Sequence, residues 1–157
     1  MEADRAPAVR RFAARDAGYR NILVIQTAGI GDCLMTTPGL AALKQMWPEC
    51  EIDTVSAPGA TEVFAANPHV RYAFGMQRTV ASMRAVLRQV RSNAYDLLID
   101  YHCTPRTFWI SALSGVPVRL GHDRQRINWR RSRTTCMVER SAATAAAGGW
   151  LSCVHSA

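Results

Sequence analysis

The segment NILVIQTAGIGDCLMTTPGLAALKQM, residues 21–46, decides the fold. It opens with a short apolar, β-branched run at residues 21–26, which predicts a buried strand. A turn of small residues follows, and apolar residues then recur with helical spacing as far as Met46. We expect Pro38 either to kink this helix or to stand in its first turn with Thr37 as N-cap. The segment therefore predicts a strand that passes through a glycine turn into a helix.

Strands and helices alternate along the chain beyond this segment. Further strands are predicted at residues 51–57, 70–75, 95–101 and 116–121, and further helices at residues 60–66, 79–92 and 104–114. Short connections between alternating elements predict an α/β fold, a Rossmann-like parallel sheet with flanking helices. Ligands of such sheets bind at the carboxyl ends of the strands. Asp32, His102 and Arg106 all follow strand ends.

Composition divides the 157 residues, which fit one domain, into three segments. Residues 1–19 are interpreted as a loose or weakly helical lead-in, and residues 20–129 carry the alternating pattern. Residues 130–157 offer no predicted strand and no helix cap, so they are interpreted as a disordered tail or as the product of a frameshift. The net charge of +7 is concentrated near the C-terminus, because residues 101–157 contain eight Arg against two acids.

Cysteine usage and hydropathy favour a cytoplasmic protein. The five Cys are odd in number and form no C-x-x-C, which argues against a disulfide framework and against a zinc site. The first 20 residues lack the apolar core of a secretory signal. No apolar run approaches the ~18 residues of a membrane span.

Two phosphate-binding interpretations of the glycine turn conflict with Asp32. A P-loop requires Lys and then Ser or Thr after its last glycine, whereas Gly31 is followed by a carboxylate. A dinucleotide fingerprint fits Gly29 and Gly31, and Asp53 stands at the spacing of a ribose-binding acid. In both sites Asp32 would face a phosphate at the helix N-terminus, where an anion site excludes a competing anion.

Two further interpretations of Asp32 stay open. As a general base, its carboxylate would take the proton of an attacking hydroxyl. The small residues of the turn would let a substrate approach the backbone, and the helix N-terminus would keep the carboxylate ionised. As an N-cap, Asp32 would only satisfy backbone N–H groups. The residue pattern does not decide between a base and a cap.

An ordered set of segments resembles the heptosyltransferase-type glycosyltransferases, family nine. Residues 21–53 are similar to the family's N-terminal signature, in which a strand and a small-residue turn precede Gly-Asp, Thr-Thr-Pro and a helix that ends before a Pro. The segments APGATEVFAANPHV (57–70), YDLLIDYH (95–102) and GVPVRLGHDRQRINW (115–129) agree with later elements in the same order. Many members carry Arg where this chain has Gln26.

The resemblance implies the N-terminal half of a GT-B glycosyltransferase. Such an enzyme transfers heptose from ADP-heptose to the lipopolysaccharide core by an inverting reaction, without a metal or a cofactor. Asp32 stands at the position of the catalytic base. The acceptor-binding positions are Gly29, Gly31, Thr36, His102, Arg106 and Arg119. The two arginines are expected to bind acceptor carboxylates and phosphates in bidentate fashion, while a structural histidine and a solvated arginine remain alternatives for His102 and Arg106.

The family's chains are about twice as long as this one, so we expect the donor-binding C-terminal domain to be missing. Without the groups that hold the diphosphate leaving group, the chain alone is expected to be inactive or nearly so. The expected partners are the lipopolysaccharide inner-core acceptor, a nucleotide sugar held by the missing domain, and the inner membrane as a peripheral contact. The arginines lack interleaved stacking aromatics, so nucleic acid is not an expected partner. The alternative function is a non-catalytic module that binds an anionic saccharide or a membrane surface.

Overall fold

The computed structural model describes residues 18–122 and the backbone of three short strands outside that range. The strands are β1 (Val9–Arg10), β2 (Asn21–Gln26), β3 (Glu51–Ser56), β4 (Tyr72–Gly75), β5 (Leu97–Asp100), β6 (Val118–His122), β7 (Cys136–Val138) and β8 (Cys153–Val154). The helices are α1 (Ile30–Met46), α2 (Thr61–Ala65), α3 (Val80–Ser92) and α4 (Pro105–Leu113), with a 3₁₀ turn at Pro58–Ala60.

Five strands form a parallel sheet in the order β6-β5-β2-β3-β4. The central strand β2 pairs with β3 on one side and with β5 on the other. The predicted α/β fold, a parallel sheet with flanking helices, is thus confirmed. All five predicted strands form, and their observed ends lie within two residues of the predicted ones or coincide with them.

The two faces of the sheet support separate apolar cores. Ile22 and Val24 of β2 pack with α1 and α2, whereas Leu23 and Ile25 pack with α3 and α4. All four side chains are fully buried. Burial on both faces explains why β2 is a continuous apolar run and not an alternating one.

Helix α1 begins earlier than the position of Pro38 suggests. Its N-cap is Gly29, and the helix continues through Pro38 to Met46. The expectation that Thr37 is the N-cap is therefore wrong. Thr37 instead donates its hydroxyl proton to the Leu34 carbonyl at 2.8 Å. In a regular helix the backbone N–H of residue 38 would bind this carbonyl, but Pro38 has no N–H group.

The segments near the two ends of the chain, predicted to be irregular, contain three short strands, β1, β7 and β8. β7 pairs with β6 in parallel, and β8 then pairs antiparallel with both β7 and β1. The expectation of no strand in residues 130–157 is thus wrong at β7 and β8, since an open strand edge offers unpaired backbone groups to any nearby segment. The frameshift interpretation concerns residues that otherwise lie outside the described part of the chain.

Candidate functional site

The candidate site lies at the carboxyl edge of the sheet, where β2 and β5 end side by side. Ile25 of β2 is in register with Asp100 of β5. The glycine turn leaves β2 at this edge, and the loop 101–104 leaves β5 beside it. Parallel pairing therefore places the predicted residues that follow these two strands at one end of the molecule.

Asp32 is the third residue of α1 and is exposed. No hydrogen bond from the described part of the chain reaches its carboxylate, and the N-cap Gly29 provides no side-chain cap. The N-cap interpretation of Asp32 is therefore wrong. A carboxylate that no donor of the described residues occupies, placed beside the positive end of a helix dipole, is available to a molecule that approaches from solvent.

The two glycines of the turn border open space. A Cβ placed at Gly29 or at Gly31 would meet no atom of the described residues within 4 Å. Gly29 has φ −66° and ψ 170°, an extended conformation that any residue adopts, and Gly31 lies within α1. Neither position needs glycine for its backbone or for packing, so the space above the turn suits close approach by a bound molecule.

His102 is tied to the turn after β2 by one short hydrogen bond. Its Nδ1 lies 2.6 Å from the Thr27 hydroxyl oxygen, a contact between residues 75 positions apart in the chain. The imidazole is half-buried. His102 thus occupies the same edge as Asp32 and is held by a neighbouring loop.

The loop that carries His102 is anchored from beneath by Asp100. Its Oδ1 accepts the backbone N–H of His102 at 3.0 Å and that of Cys103 at 2.9 Å. Cys103 has φ +48°, in the left-handed region that few non-glycine residues adopt. Burial raises the pKa of the Asp100 carboxyl, and the hydrogen bonds that it accepts oppose that rise. Asp100 therefore fixes an unusual loop conformation directly below His102.

Thr36 lies beneath the site and not on its surface. It is buried, its hydroxyl donates to the Asp32 carbonyl at 2.8 Å, and it accepts a hydrogen bond from Gln26 Nε2 at 3.3 Å. Both contacts occupy the hydroxyl within the protein. This placement corrects the expectation that Thr36 touches the acceptor, because its buried hydroxyl is already bonded to the Asp32 carbonyl and to Gln26 of β2.

The two arginines assigned to the acceptor have different environments. Arg106 is exposed in the first turn of α4 and forms no ion pair with any described residue. Arg119 is buried within β6, and its Nη1 donates to the Ser111 carbonyl at 3.1 Å, near the C-terminal end of α4. This placement corrects the expectation that Arg119 contacts the acceptor. Its guanidinium is buried and binds carbonyls at the negative end of a helix instead.

Asp53 does not belong to a nucleotide site. Its carboxylate is fully buried and is held by Arg71 Nε and Nη2 at 2.9 and 2.7 Å and by the Tyr95 hydroxyl at 2.5 Å. Arg71 precedes β4 and Tyr95 precedes β5, so the network lies toward the opposite, amino edge of the sheet. The dinucleotide interpretation therefore loses its ribose-binding acid.

Curated proteins of similar sequence are heptosyltransferases. The chain is 25% identical over 114 residues to lipopolysaccharide heptosyltransferase 3 of Escherichia coli, and 26% identical over 121 residues to the protein of that name from strain K12. Each match covers 66% of this chain, and the chain spans about a third of the length of these relatives, 34% and 33%. No family model matches the sequence.

Solved structures of similar fold include enzymes of the same type. A glycosyl transferase family 9 protein from Veillonella parvula has a TM-score of 0.62 at 23% identity, over 66% of this chain and 32% of that one. The ADP-heptose lipopolysaccharide heptosyltransferase II of E. coli has a TM-score of 0.66 at 20% identity, over 79% and 36%. At these identities the likeness shows the fold. The curated relatives add a likeness in sequence to this likeness in fold. The resemblance to the heptosyltransferases is confirmed.

Sequence reasoning found Asp32, Arg106 and the two glycines of this candidate site but missed two residues behind them. The sequence pattern predicts Thr27 only as part of the glycine turn and Asp100 only as part of the strand at residues 95–101. Their signal was a polar residue at the end of an apolar strand, NILVIQT and LLID, where the backbone turns. Such residues bind neighbouring loops, and the register of the sheet decides which loop lies within reach.

Neither a metal-ligand cluster nor a candidate membrane span occurs in the described residues. No group of three or more His, Cys, Asp or Glu side chains is placed to hold a metal ion there. Within the same part of the heptosyltransferase-like chain, no helix combines the length and the apolar character that crossing a bilayer requires.

Proposed function

We propose that this chain is the acceptor-binding part of a heptosyltransferase, which transfers heptose from ADP-heptose to the lipopolysaccharide core. One observation carries the proposal. The Asp32 carboxylate is exposed in the first turn of α1, without a hydrogen bond from the described residues, beside a glycine turn that borders open space. This is the environment that a general base for an incoming hydroxyl requires.

The proposed reaction is a direct displacement at the anomeric carbon of the donor. Asp32 accepts the proton of an acceptor hydroxyl while that oxygen bonds to the sugar, and the bond from the sugar to the diphosphate breaks. ADP leaves with the electron pair, and the new glycosidic bond has inverted configuration. The helix N-terminus favours the ionised carboxylate that this step needs, and removal of the proton contributes about 10²–10⁴ in rate.

Arg106 and His102 are the proposed contacts to anionic groups of the acceptor. Arg106 is exposed at the start of α4, where its fork of donors suits a carboxylate or phosphate. His102 stands on the adjacent loop, held by Thr27. The inner core of lipopolysaccharide carries both kinds of anion, so a site with these side chains matches its charge.

The diphosphate of the donor is proposed to bind residues outside the described range. The described carboxyl edge offers Asp32 beside the helix N-terminus, and a second anion there would be repelled. Stabilisation of the leaving group is usually the largest catalytic contribution. A protein limited to the described residues 18–122 is therefore expected to show little or no transfer with ADP-heptose and an inner-core acceptor.

A peripheral membrane contact is proposed beside the same site. Ile30, Leu34 and Met35 flank Asp32 on α1 and are 54%, 55% and 76% exposed. A helix start that exposes three large apolar side chains suits an amphiphile, and the proposed acceptor is anchored in a bilayer by its lipid. In a flotation assay with vesicles of anionic phospholipid, the double variant Leu34→Ser/Met35→Ser should bind less than the wild type. Tyr72→Ser, an exposed residue of β4 near the opposite edge, should bind equally; equal loss in both variants contradicts the proposal.

The decisive test replaces the proposed base. In a version of the protein that carries both the acceptor and the donor parts, Asp32→Asn should lower kcat by about 10²–10⁴ with little change in acceptor affinity. Glu49→Gln, an exposed acid beyond the other end of α1, is the matched control and should keep full activity. Unchanged transfer by Asp32→Asn rejects the base. Salt-sensitive oligosaccharide binding without transfer in the wild type favours the non-catalytic module instead.

A further inference from the structure

We propose that the outer surface of α3 and α4 is a second saccharide subsite, which binds anionic sugar units of the acceptor other than the one that is attacked. The inference rests on the proposed function for its ligand class and extends that site beyond Arg106. This α3–α4 surface consists of exposed side chains, namely Arg84, Arg88 and Arg91 of α3 and Arg106, Trp109 and Leu113 of α4.

Helices α3 and α4 lie side by side on one face of the sheet. Buried side chains of both helices belong to the same apolar core, and Arg91 Nε donates to the Leu113 carbonyl at 2.9 Å. Each helix connects two strands of the parallel sheet, so both run from its carboxyl edge to its amino edge. The α3–α4 surface therefore begins at the edge that presents Asp32 and continues along both helices.

The α3–α4 surface is positively charged. Arg84, Arg88 and Arg91 follow the spacing i, i+4, i+7, which places them in one row along α3. None of these three forms an ion pair with a described residue. Residues 76–94 and 101–122, which contain both helices, include no Asp or Glu. A row of guanidinium groups without a counter-charge in these segments favours a ligand that carries several carboxylates or phosphates.

Trp109 adds an aromatic platform to the arginines. It is 54% exposed, and it stands three residues after Arg106 and four before Leu113, on the same side of α4. Phe108 packs edge-on against the indole, with the ring centroids 5.5 Å apart, and this contact limits how the indole can turn. The C–H face of a sugar ring packs against an indole, while guanidinium groups bind its charged substituents. An aromatic ring among cations therefore suits a charged saccharide.

A bilayer is the other anionic partner that a row of arginines could meet. The proposed lipid contact at Leu34 and Met35 lies on α1, and α1 packs on the opposite face of the sheet from α3 and α4. An acceptor whose lipid lies beside α1 reaches the α3–α4 surface only with its saccharide, across the carboxyl edge. The surface is therefore assigned to sugar and not to lipid.

Calorimetric titration of the full chain with deacylated inner-core oligosaccharide tests the subsite. Arg84→Gln and Arg88→Gln should each weaken binding by about threefold, and the double variant by about tenfold, with a smaller dependence on salt. Arg20→Gln is the matched control, because it removes the same charge from an exposed position before β2, near the opposite edge of the sheet. It should bind like the wild type.

The aromatic platform is tested in the same titration. Trp109→Leu should weaken binding by about three- to tenfold, whereas Trp109→Phe keeps a ring and should retain most of the affinity. Melting temperatures should change little in all these variants, since the substituted side chains are exposed.

The outcomes separate the subsite from the proposed function. Wild-type affinity in the arginine double variant or in Trp109→Leu overturns the subsite; a loss confined to Arg106→Gln would then leave the proposed acceptor site standing. If the double variant loses binding to phosphatidylglycerol vesicles but binds the oligosaccharide like the wild type, the surface belongs to a bilayer and the subsite is overturned. Absence of oligosaccharide binding by the wild type overturns the proposed acceptor and the subsite with it.

Discussion

Thr37 donates its hydroxyl proton to the carbonyl of Leu34 at 2.8 Å, and this bond replaces the one that Pro38 cannot form. In an uninterrupted helix the N–H of residue 38 would bind that carbonyl. The threonine directly before the proline thus allows α1 to continue to Met46. The proline lies within the helix whose first turn presents Asp32, so the Thr-Pro pair supports the site while lying outside it.

The Thr37–Leu34 bond predicts a coupling between positions 37 and 38. Thr37→Val should lower the free energy of unfolding by about 0.5–1.5 kcal/mol when Pro38 is present, because the Leu34 carbonyl then loses its donor. In a Pro38→Ala background the new N–H binds that carbonyl, and the same substitution should cost clearly less. Urea unfolding of the four proteins measures the cycle. Equal costs in both backgrounds would show that Thr37 does not compensate for the proline.

Arg71 is expected to contribute strongly to stability through Asp53. Arg71→Met leaves the fully buried Asp53 carboxylate with the Tyr95 hydroxyl and the Tyr72 N–H but without its counter-charge, and should lower the free energy of unfolding by about 3 kcal/mol or more. Glu51→Gln is the matched control, because Glu51 contacts the same guanidinium from an exposed position and should cost at most about 1 kcal/mol. Chemical denaturation measures both variants; similar small losses would contradict a buried ion pair.

Two glycines of α1 should respond oppositely to alanine. A Cβ at Gly39 would lie 2.9 Å from the Tyr101 hydroxyl oxygen, so the tyrosine must shift, and Gly39→Ala should destabilise by up to about 1 kcal/mol after the gain in helix propensity. Tyr101→Phe removes that hydroxyl and should recover part of the loss. Gly31→Ala meets open space and should stabilise by up to about 1 kcal/mol while weakening oligosaccharide binding. Thermal unfolding measures the stability of these variants, and titration with deacylated inner-core oligosaccharide measures binding by Gly31→Ala. If Gly31→Ala binds the oligosaccharide as tightly as the wild type, the acceptor does not approach the turn closely.

The buried carboxyl group of Asp100 is expected to make the free energy of unfolding fall as the pH rises. Burial raises the pKa of this carboxyl in the folded chain, so the unfolded chain releases the proton first. Between about pH 4, the ordinary value for Asp, and the raised folded value, the folded state binds more protons and the free energy of unfolding falls with increasing pH. Asp100→Asn keeps an oxygen for the two backbone donors and cannot ionise. Its stability relative to wild type should therefore increase across this range in urea titrations; parallel pH profiles would contradict the shift.

The local elements were predictable because their signals are local. The strand at residues 21–26, the helix predicted at residues 104–114 and the turn that leads to Asp32 follow from hydrophobic runs and turn residues within a few positions. Arg119 and Thr36 were misassigned because burial of a polar side chain depends on what packs over it. For Arg119 that is the end of α4, and for Thr36 it is Gln26 of β2.

The sequence by itself determined the alternation of strands and helices, the turn that presents Asp32, and the likeness to heptosyltransferases. Only the tertiary structure decided that Thr27 contacts His102, 75 positions away, and that Asp53 pairs with Arg71 and Tyr95 instead of facing a ligand. The reason is the topology of a parallel sheet. Its central strands β2 and β5 are neighbours in space but distant in the chain, so the contacts between their loops are fixed by register, which no short stretch of sequence encodes.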